Sequence, residues 1–467
     1  MTALQRTADT DSTRRDEARS DLDAPPEGAS AETASAEPTT ADAAAREAER
    51  HARQAVDAFR ALAQRTAGLD LPIDRWDGVR LGPAKASWRL VLPRPWSLRA
   101  MLVPPTDLTM GEAYARGDID IAGDAVAAIA ASRALRPSLD DAEALVPLTR
   151  HLLAGPRPPR LGSERRARLG GRAHTRERDR EAVSFHYDLP QAFYETFLDE
   201  QLVYSCGYFA EAAPTDLDRA QRRKLDMVCR KLRLRPGSRL LDIGCGWGSL
   251  LAWAAQHYGA TGVGVTLSET QAEAANERLA RAGLSDRVEV RLADYRELST
   301  EEPFDAVCSI GMVEHVGDAQ LTEYAQTTRR LLAPGGLTLV HAITRQGEAP
   351  PWPLRNHTFI QRHVFPDGEL VPAWRLLQAV EQAGLPAVDV HQLRHHYALT
   401  LRQWVARLEA GAEQAIAATS EADYRVWRLF MSGAAASFAA GHIGVVQVLA
   451  GDRPAAPLTR DWMHPTV

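Results

Sequence analysis

Cysteine is scarce in this 467-residue chain: Cys206, Cys229, Cys245 and Cys308 are the four, with no CxxC pair and no Cys/His spacing suited to zinc. A disulfide scaffold and a zinc module are therefore not indicated, and a reducing cytoplasm is the expected compartment. An excess of one charge is also missing, because 55 basic against 61 acidic residues leave a formal net charge of -6. A dedicated nucleic-acid binder carries a strongly basic balance, so no nucleic-acid partner is expected. The opening residues MTALQRTADTDSTRRDE hold no apolar core, and neither a signal peptide nor an anchor is expected there. Gly433 to Gly451 comes nearest to a long apolar run, but it is rich in Ala and Gly and is broken by Ser437, His442 and Gln447. It reads as protein core.

Residues 1–45 lack Phe, Tyr, Trp, Ile and Val, so they cannot bury enough surface to offset the entropy of ordering and read as a disordered tail. The rest is well supplied: 45% of the chain is hydrophobic and 25% charged, enough for two or three globular domains. An N-terminal domain is expected over 46–155. It opens on a helix from about Ala43 to Ala67 whose apolar face carries Val56, Phe59, Leu62 and Ala63. Beyond it, short strand-like runs (SWRLVL, RAMLV) mix with helical stretches (TMGEAYARG, DAVAAIAASRAL). Residues 156–183 are dense in Arg and Pro and read as a linker, either a solvated tether or a basic strip drawn to anionic phospholipid head groups.

From 184 to 467 strand-like and helical runs alternate. Apolar runs at Arg239–Ile243, Gly262–Leu267, Val288–Leu292, Phe304–Ile310 and Leu337–Ile343 are separated by stretches with helical composition. This pattern predicts an α/β fold, a doubly wound, mostly parallel seven-stranded sheet whose strand C-terminal ends share one ligand-binding edge. The first strand runs LLDIGCGWGSLLAWAA, with Gly244, Gly246 and Gly248 in a GxGxG arrangement behind Asp242. Glycines there permit a sharp turn and close approach of a ligand to the main chain, and the carboxylate can accept from a cationic or amine-bearing ligand. The pattern resembles motif I of S-adenosylmethionine methyltransferases. In GVGVTLSETQ, Thr266, Ser268 and Gln271 stand where such enzymes meet the ribose, although Ser268 also suits a helix N-cap. In LADYRE, Asp294 and Tyr295 stand where the adenine would lie.

Further segments narrow the reading. HYDLPQAFYETFLDEQLVYSCGYF (186–209), IGMVEHVG (310–317), LVHAIT (339–344), FIQRHVFPDGEL (359–370) and LRHHYALTLRQW (393–404) closely resemble the cyclopropane-fatty-acyl-phospholipid synthases and the related mycolic acid cyclopropane synthases. The resemblance covers about residues 184–450, and more loosely LTMGEAYARGDIDIAGD (108–124). It implies a class I methyltransferase fold and a one-carbon transfer from S-adenosylmethionine to the cis double bond of an unsaturated phospholipid acyl chain. It further implies a bicarbonate ion as base, gripped by residues that match Cys206, Glu314, His341, Ile343 and Tyr397. In that picture Cys206 and Ile343 contribute backbone N–H groups, His341 and Tyr397 donate to the anion, and Glu314 takes its proton or orients His341. Tyr204 and Ser205 would close over the cofactor, with His186 and Tyr187 in the same lid. Ala434 stands where members of the family commonly carry a cysteine, so Cys206 is read as a lining residue and not a nucleophile.

The same resemblance makes a transient peripheral membrane contact and a homodimer the expected associations, with Trp352 and Phe365 as candidate membrane-contact residues. A related outcome, a methylene- or methyl-branched chain, shares the same cation. A non-catalytic lipid-binding protein on the same fold is the reading from a different class.

Overall fold

In the computed structural model, the described residues are 39–135, 142–159, 166–167, 169–187, 189–210, 216–299, 301–347, 358–451 and 460. Most of the 1–45 tail, Trp352, and Arg160, Arg165 and Arg168 of the basic stretch lie outside them. The chain divides into Met1–Ala44 and a unit from Ala45 to Val467.

The N-terminal part begins with α1 (Thr40–Ala67), whose buried positions Val56, Phe59, Leu62 and Ala63 form one helical stripe. Next come β1 (Ile73–Arg75), β2 (Arg80–Leu81), β3 (Trp88–Leu92), α2 (Ser97–Leu102), α3 (Asp107–Ala115), β4 (Asp120–Gly123), α4 (Ala125–Arg133) and α5 (Ala142–Ala154). The four strands form a small sheet in the order β2-β1-β3-β4. RAMLV, expected as a strand, lies in and just after α2: Leu98, Met101 and Leu102 recur at helical spacing and are buried together. The 156–183 linker is also shorter than expected, because α6 (Arg176–Tyr187) starts inside it. Arg176 pairs with Glu297, and Arg178 with Asp367 at 2.7 Å, so these arginines are held by carboxylates.

After α6 and α7 (Gln191–Glu195), α8 (Leu217–Lys231) leads into the large sheet. Its elements are β5 (Arg239–Ile243), α9 (Ser249–Tyr258), β6 (Thr261–Thr266), α10 (Glu269–Arg281), β7 (Val288–Leu292), β8 (Phe304–Ile310), α11 (Leu321–Leu331) and β9 (Leu332–Arg345). They are followed by α12 (Phe359–His363), α13 (Ala373–Gln382), β10 (Ala387–Gln392), α14 (Arg394–Ala410), α15 (Ala412–Ala418), α16 (Glu421–Ala440) and β11 (Ile443–Gly451). The seven strands are ordered β10-β11-β9-β8-β5-β6-β7, with β11 antiparallel to both its neighbours and the others parallel. Strand order reverses between β5 and β8, which opens a crevice at their C-terminal tips.

β5 is almost uniformly buried, as a parallel strand covered on both faces must be. Its side chains alternate: Leu240 packs with α8 and α9, Leu241 and Ile243 with α11 and α13. The Gly433–Gly451 run is core, comprising the end of α16 and the interior strand β11. Two buried arginines of α16 tie the small sheet to this body. Arg425 donates to the carbonyls of Tyr114 (2.7 Å) and Ile119 (2.8 Å), and Arg428 to the Tyr114 hydroxyl (2.6 Å) and Glu409 (2.7 Å).

Candidate active site

At the crevice the chain leaves β5 through Gly244 and Gly246, both in the left-handed region at φ 77° and 55°. A Cβ on Gly244 would meet the Met312 side chain at 2.9 Å, so this backbone has no room for a larger residue. Here opens a cleft of about 1130 Å³ including its mouth, lined by Asp242, Gly244, Gly246 and Trp247 on one side and by Thr266, Gln271 and Tyr295 on the other. Tyr204, Ser205 and Tyr187 cover it.

Asp242 is buried and its Oδ1 accepts from the Cys308 thiol at 3.3 Å; burial raises its carboxyl to about 6, against that hydrogen bond and the Lys224 charge. A cationic or amine-bearing ligand would relieve this penalty, and on that physical ground the cleft suits an amino-acid head group. Thr266 donates to the Gln271 side-chain oxygen at 2.9 Å. Ser268 caps α10, accepting from the Gln271 amide at 3.2 Å, and Gly248 caps α9; neither lines the cleft, so both shape it from behind.

Asp294 carries a partner that lies two residues on in the chain. Both its oxygens are engaged by the Arg296 guanidinium, at 2.6 to 3.1 Å. Burial alone would raise this carboxyl, but the Arg296 hydrogen bonds outweigh it and hold the group below the usual range. Asp294 thus anchors Arg296, which also reaches Asp179 of α6 at 3.0 Å. Tyr295 does line the cleft, its ring edge-on to Tyr324.

A second, more enclosed set lies beside the tips of β8 and β9. Glu314 sits in a short 3-10 turn just past β8, and its Oε1 accepts from the Ile343 amide at 2.7 Å. Its Oε2 is buried with no hydrogen-bond partner among the described residues, and burial raises the carboxyl to about 7. His341, in β9, is 1% exposed. Its Nδ1 lies 3.2 Å from Nε2 of Gln447 in β11, while its own Nε2 is buried with no partner among the described residues. Burial, then the charges of Lys224 and Lys231, press the imidazole down to about 3, so it is neutral. Tyr397, in the first turn of α14, is buried, and its phenol is pushed well up by burial and by the nearby Cys206 and Glu314. The Cys206 thiol points at the carbonyls of Gly207 (3.3 Å) and Leu393 (3.8 Å), and burial pushes it up as well. A thiol held neutral in this way is a poor nucleophile.

Two expected roles change. The Ile343 N–H is given to Glu314, and Glu314 does not hydrogen-bond His341; Gln447 does. Lys224 was not singled out from the sequence either. It is one of three lysines in the chain, and its buried ammonium donates to the Ser205 hydroxyl at 3.0 Å. Burial lowers it to about 8, and it lies in the field of Asp199, Cys206 and Asp242, so it spans the two parts of the site.

Around both parts stands an aromatic wall. His186 stacks on Phe365 with centroids 3.8 Å apart, Tyr204 stacks on Trp404, and Trp427 closes on both groups. Phe365 is therefore packed into this wall. Ala434 packs beside the same cluster. The arrangement joins an open cleft for a polar ligand to a dry apolar space that contains a few aimed polar groups. Among the described residues there is no His, Cys, Asp or Glu cluster fit for a metal, and no helix long and apolar enough to cross a membrane.

Residues 174–448 match the family described as mycolic acid cyclopropane synthetase. A probable fatty acid methyltransferase of Pseudomonas putida is 38% identical over 385 residues, covering 82% of this chain and 92% of that protein. A probable fatty acid methyltransferase of Mycobacterium tuberculosis is 34% identical over 419 residues, covering 85% and 95%. Among solved structures, a mycolic acid cyclopropane synthase complexed with SAH and CTAB superposes with a TM-score of 0.54 at 35% identity, covering 58% of this chain and 97% of that one.

Proposed function

Since the chain belongs to the mycolic acid cyclopropane synthetase family of S-adenosylmethionine-dependent methyltransferases, we propose that it adds one carbon to the cis double bond of an unsaturated phospholipid acyl chain and closes a cyclopropane ring. S-adenosylmethionine, when bound, supplies an electrophilic sulfonium methyl. Asp242, the Gly244–Gly246 turn and Gln271 hold and orient that ligand, and Tyr204 and Tyr187 exclude water over it. An alkene is a weak nucleophile, so alignment in a dry pocket is the main service the protein performs; the aromatic wall of Trp427, Phe365 and Tyr204 provides it.

The observation that carries this reading is the pair of buried atoms, Glu314 Oε2 and His341 Nε2, that have no hydrogen-bond partner among the described residues. They suit a small hydrogen-bonding anion. Bicarbonate fits the donors present: a carboxyl raised to about 7, a neutral imidazole and the Tyr397 hydroxyl. Held there, it would supply a base for the proton that ring closure releases. The acyl chain is reached by transient contact with a membrane surface.

A second reading is favoured by the two relatives that match more than four-fifths of the chain, both named as probable fatty acid methyltransferases. In it the same cation undergoes a hydride shift and loses a proton to give a methylene-branched chain, and a saturated methyl branch would need a hydride donor in addition. Purified protein given labelled S-adenosylmethionine, unsaturated phosphatidylethanolamine vesicles and bicarbonate tests both. Label in a ring-bearing chain that resists mild hydrogenation supports the first reading. Label in a reducible methylene branch supports the second. No transfer at all would leave a lipid-binding role for the fold.

A further inference from the structure

We infer that Gln447 is a positioning residue for the reaction: its side-chain amide fixes the tautomer of His341, so that the imidazole presents Nε2–H to the anion site. The inference rests on the reading of that site as a bicarbonate pocket, and it concerns a residue on a different strand from the five first associated with the anion.

The argument begins in the sheet register. His341 of β9 stands directly opposite Gln447 of β11, and Gln447 in turn opposite His391 of β10. Residues paired across adjacent strands share one face, so the three side chains form a cross-strand row. Within it, Gln447 Nε2 lies 3.2 Å from His341 Nδ1. An amide nitrogen only donates, so Nδ1 must accept, and a neutral imidazole that accepts at Nδ1 carries its proton on Nε2. Nε2 is the buried atom with no partner among the described residues. A donor in that position is matched to an anion and mismatched to a second donor.

On the far flank of Gln447, His391 Nδ1 meets the Lys231 ammonium at 3.3 Å, and Lys231 also faces Asp389 at 3.5 Å. Gln447 Oε1 is buried with no hydrogen-bond partner among the described residues, while the NH₂ group faces His341; the Lys231 charge favours an acceptor over a second donor on its side of the row. Lys224 and Lys231 both act on His341 against an imidazolium, so the ring remains neutral and its tautomer is a real choice that a neighbour can set. Gln447 is fully buried, which removes water as a competing partner.

The test uses the full chain and two measurements. Imidazole ¹⁵N spectra of ¹⁵N-histidine protein, with the His341 signal assigned by its loss in His341→Asn, report which ring nitrogen bears the proton. The expected result is a protonated Nε2 in the wild type. In Gln447→Met, which has nearly the same shape and no amide, the expected result is a mixed or reversed tautomer. The bicarbonate concentration at half-maximal rate should rise about 10- to 100-fold in that variant, as outer partners of ligating histidines do when removed, with S-adenosylmethionine affinity within about twofold. A wild-type His341 protonated on Nδ1 would overturn the inference, whatever the variant does. So would an unchanged bicarbonate dependence in a folded Gln447→Met. If the wild-type rate has no bicarbonate dependence, the bicarbonate reading itself fails. The tautomer spectrum still decides the hydrogen-bond assignment in that case.

Discussion

At the tips of β5 and β6 the ligand space is made mainly by backbone: Gly244 and Gly246 turn the chain and leave room where any Cβ would stand. At the tips of β8 and β9 the space is made by side chains from separate segments, with Glu314, His341, Tyr397 and Cys206 brought together from four stretches of chain. The first half is open, and its central turn from Asp242 to Gly246 is contiguous in sequence. The second is dry, and its groups are displaced from their ordinary acidities mainly by burial, Glu314 up to about 7 and His341 down to about 3. The contrast shows that the two halves draw on different resources: a backbone turn with no room for a Cβ at Gly244, and buried side chains whose acidities desolvation shifts. Lys224 touches both halves, through Ser205 on one side and the fields of Cys206 and His341 on the other.

If the halves are separable, the largest effect comes from Glu314→Gln. This change keeps the acceptor for the Ile343 amide and removes the proton-exchanging group, so the turnover rate should fall about 100- to 10,000-fold with S-adenosylmethionine affinity unchanged. Loss of cofactor binding in this variant, read by calorimetry, would break the comparison.

The same variant carries a stability signature. A carboxyl raised from 4.5 in the unfolded chain to about 7 in the fold binds its proton more tightly in the native state. Its contribution therefore falls as pH rises from about 4.5 to about 7, and the full penalty remains above that. Glu314→Gln should melt higher than the wild type above pH 7, and the two should converge below about 4.5. A constant offset at all pH values would show that this carboxyl is not desolvated.

Gly244→Ala sharpens the comparison from the other side. The added Cβ meets Met312 at 2.9 Å in a left-handed turn, so S-adenosylmethionine affinity should drop about tenfold, roughly 1.4 kcal/mol, with turnover at saturation within about twofold. A fall in turnover alone would contradict this. The smallest effect belongs to Arg296→Ala, which unties Asp179 of the covering helix α6 from Asp294. These side chains are only 3 to 11% exposed, so losing the guanidinium should lower fold stability by about 3 kcal/mol, while the Michaelis constant for S-adenosylmethionine rises no more than about fivefold. Titration of initial rates against the cofactor reads it directly.

Much of this was legible in the residues. The bounds of β5, β7 and β8 coincide with the runs read from the sequence: β5 and β8 are interior parallel strands, apolar on both faces, while the edge strand β7 alternates with Val288 and Val290 buried. Asp242 and the glycine turn are contiguous, so their pattern survives in one line of sequence. What escaped depended on partners far away in the chain. Asp294 reads as a free acceptor until Arg296 folds back on it. The Ile343 N–H reads as available until Glu314 takes it. RAMLV has strand composition, but its burial has helical period. Gln447 does leave a signal, as a lone polar residue in the apolar run of β11.

By itself, then, the sequence determined the class of fold, the place of the cofactor turn and the identities of the acid, imidazole, phenol and thiol near the second half of the site. These are local facts, set by period, by glycine and by motif. Only the tertiary structure decided what each group can do, since hydrogen-bond partners and desolvation are relations between distant segments. A glutamate in a 3-10 turn is an ordinary acid until packing removes its water, and a glutamine in a strand is an interruption until the register sets it against His341.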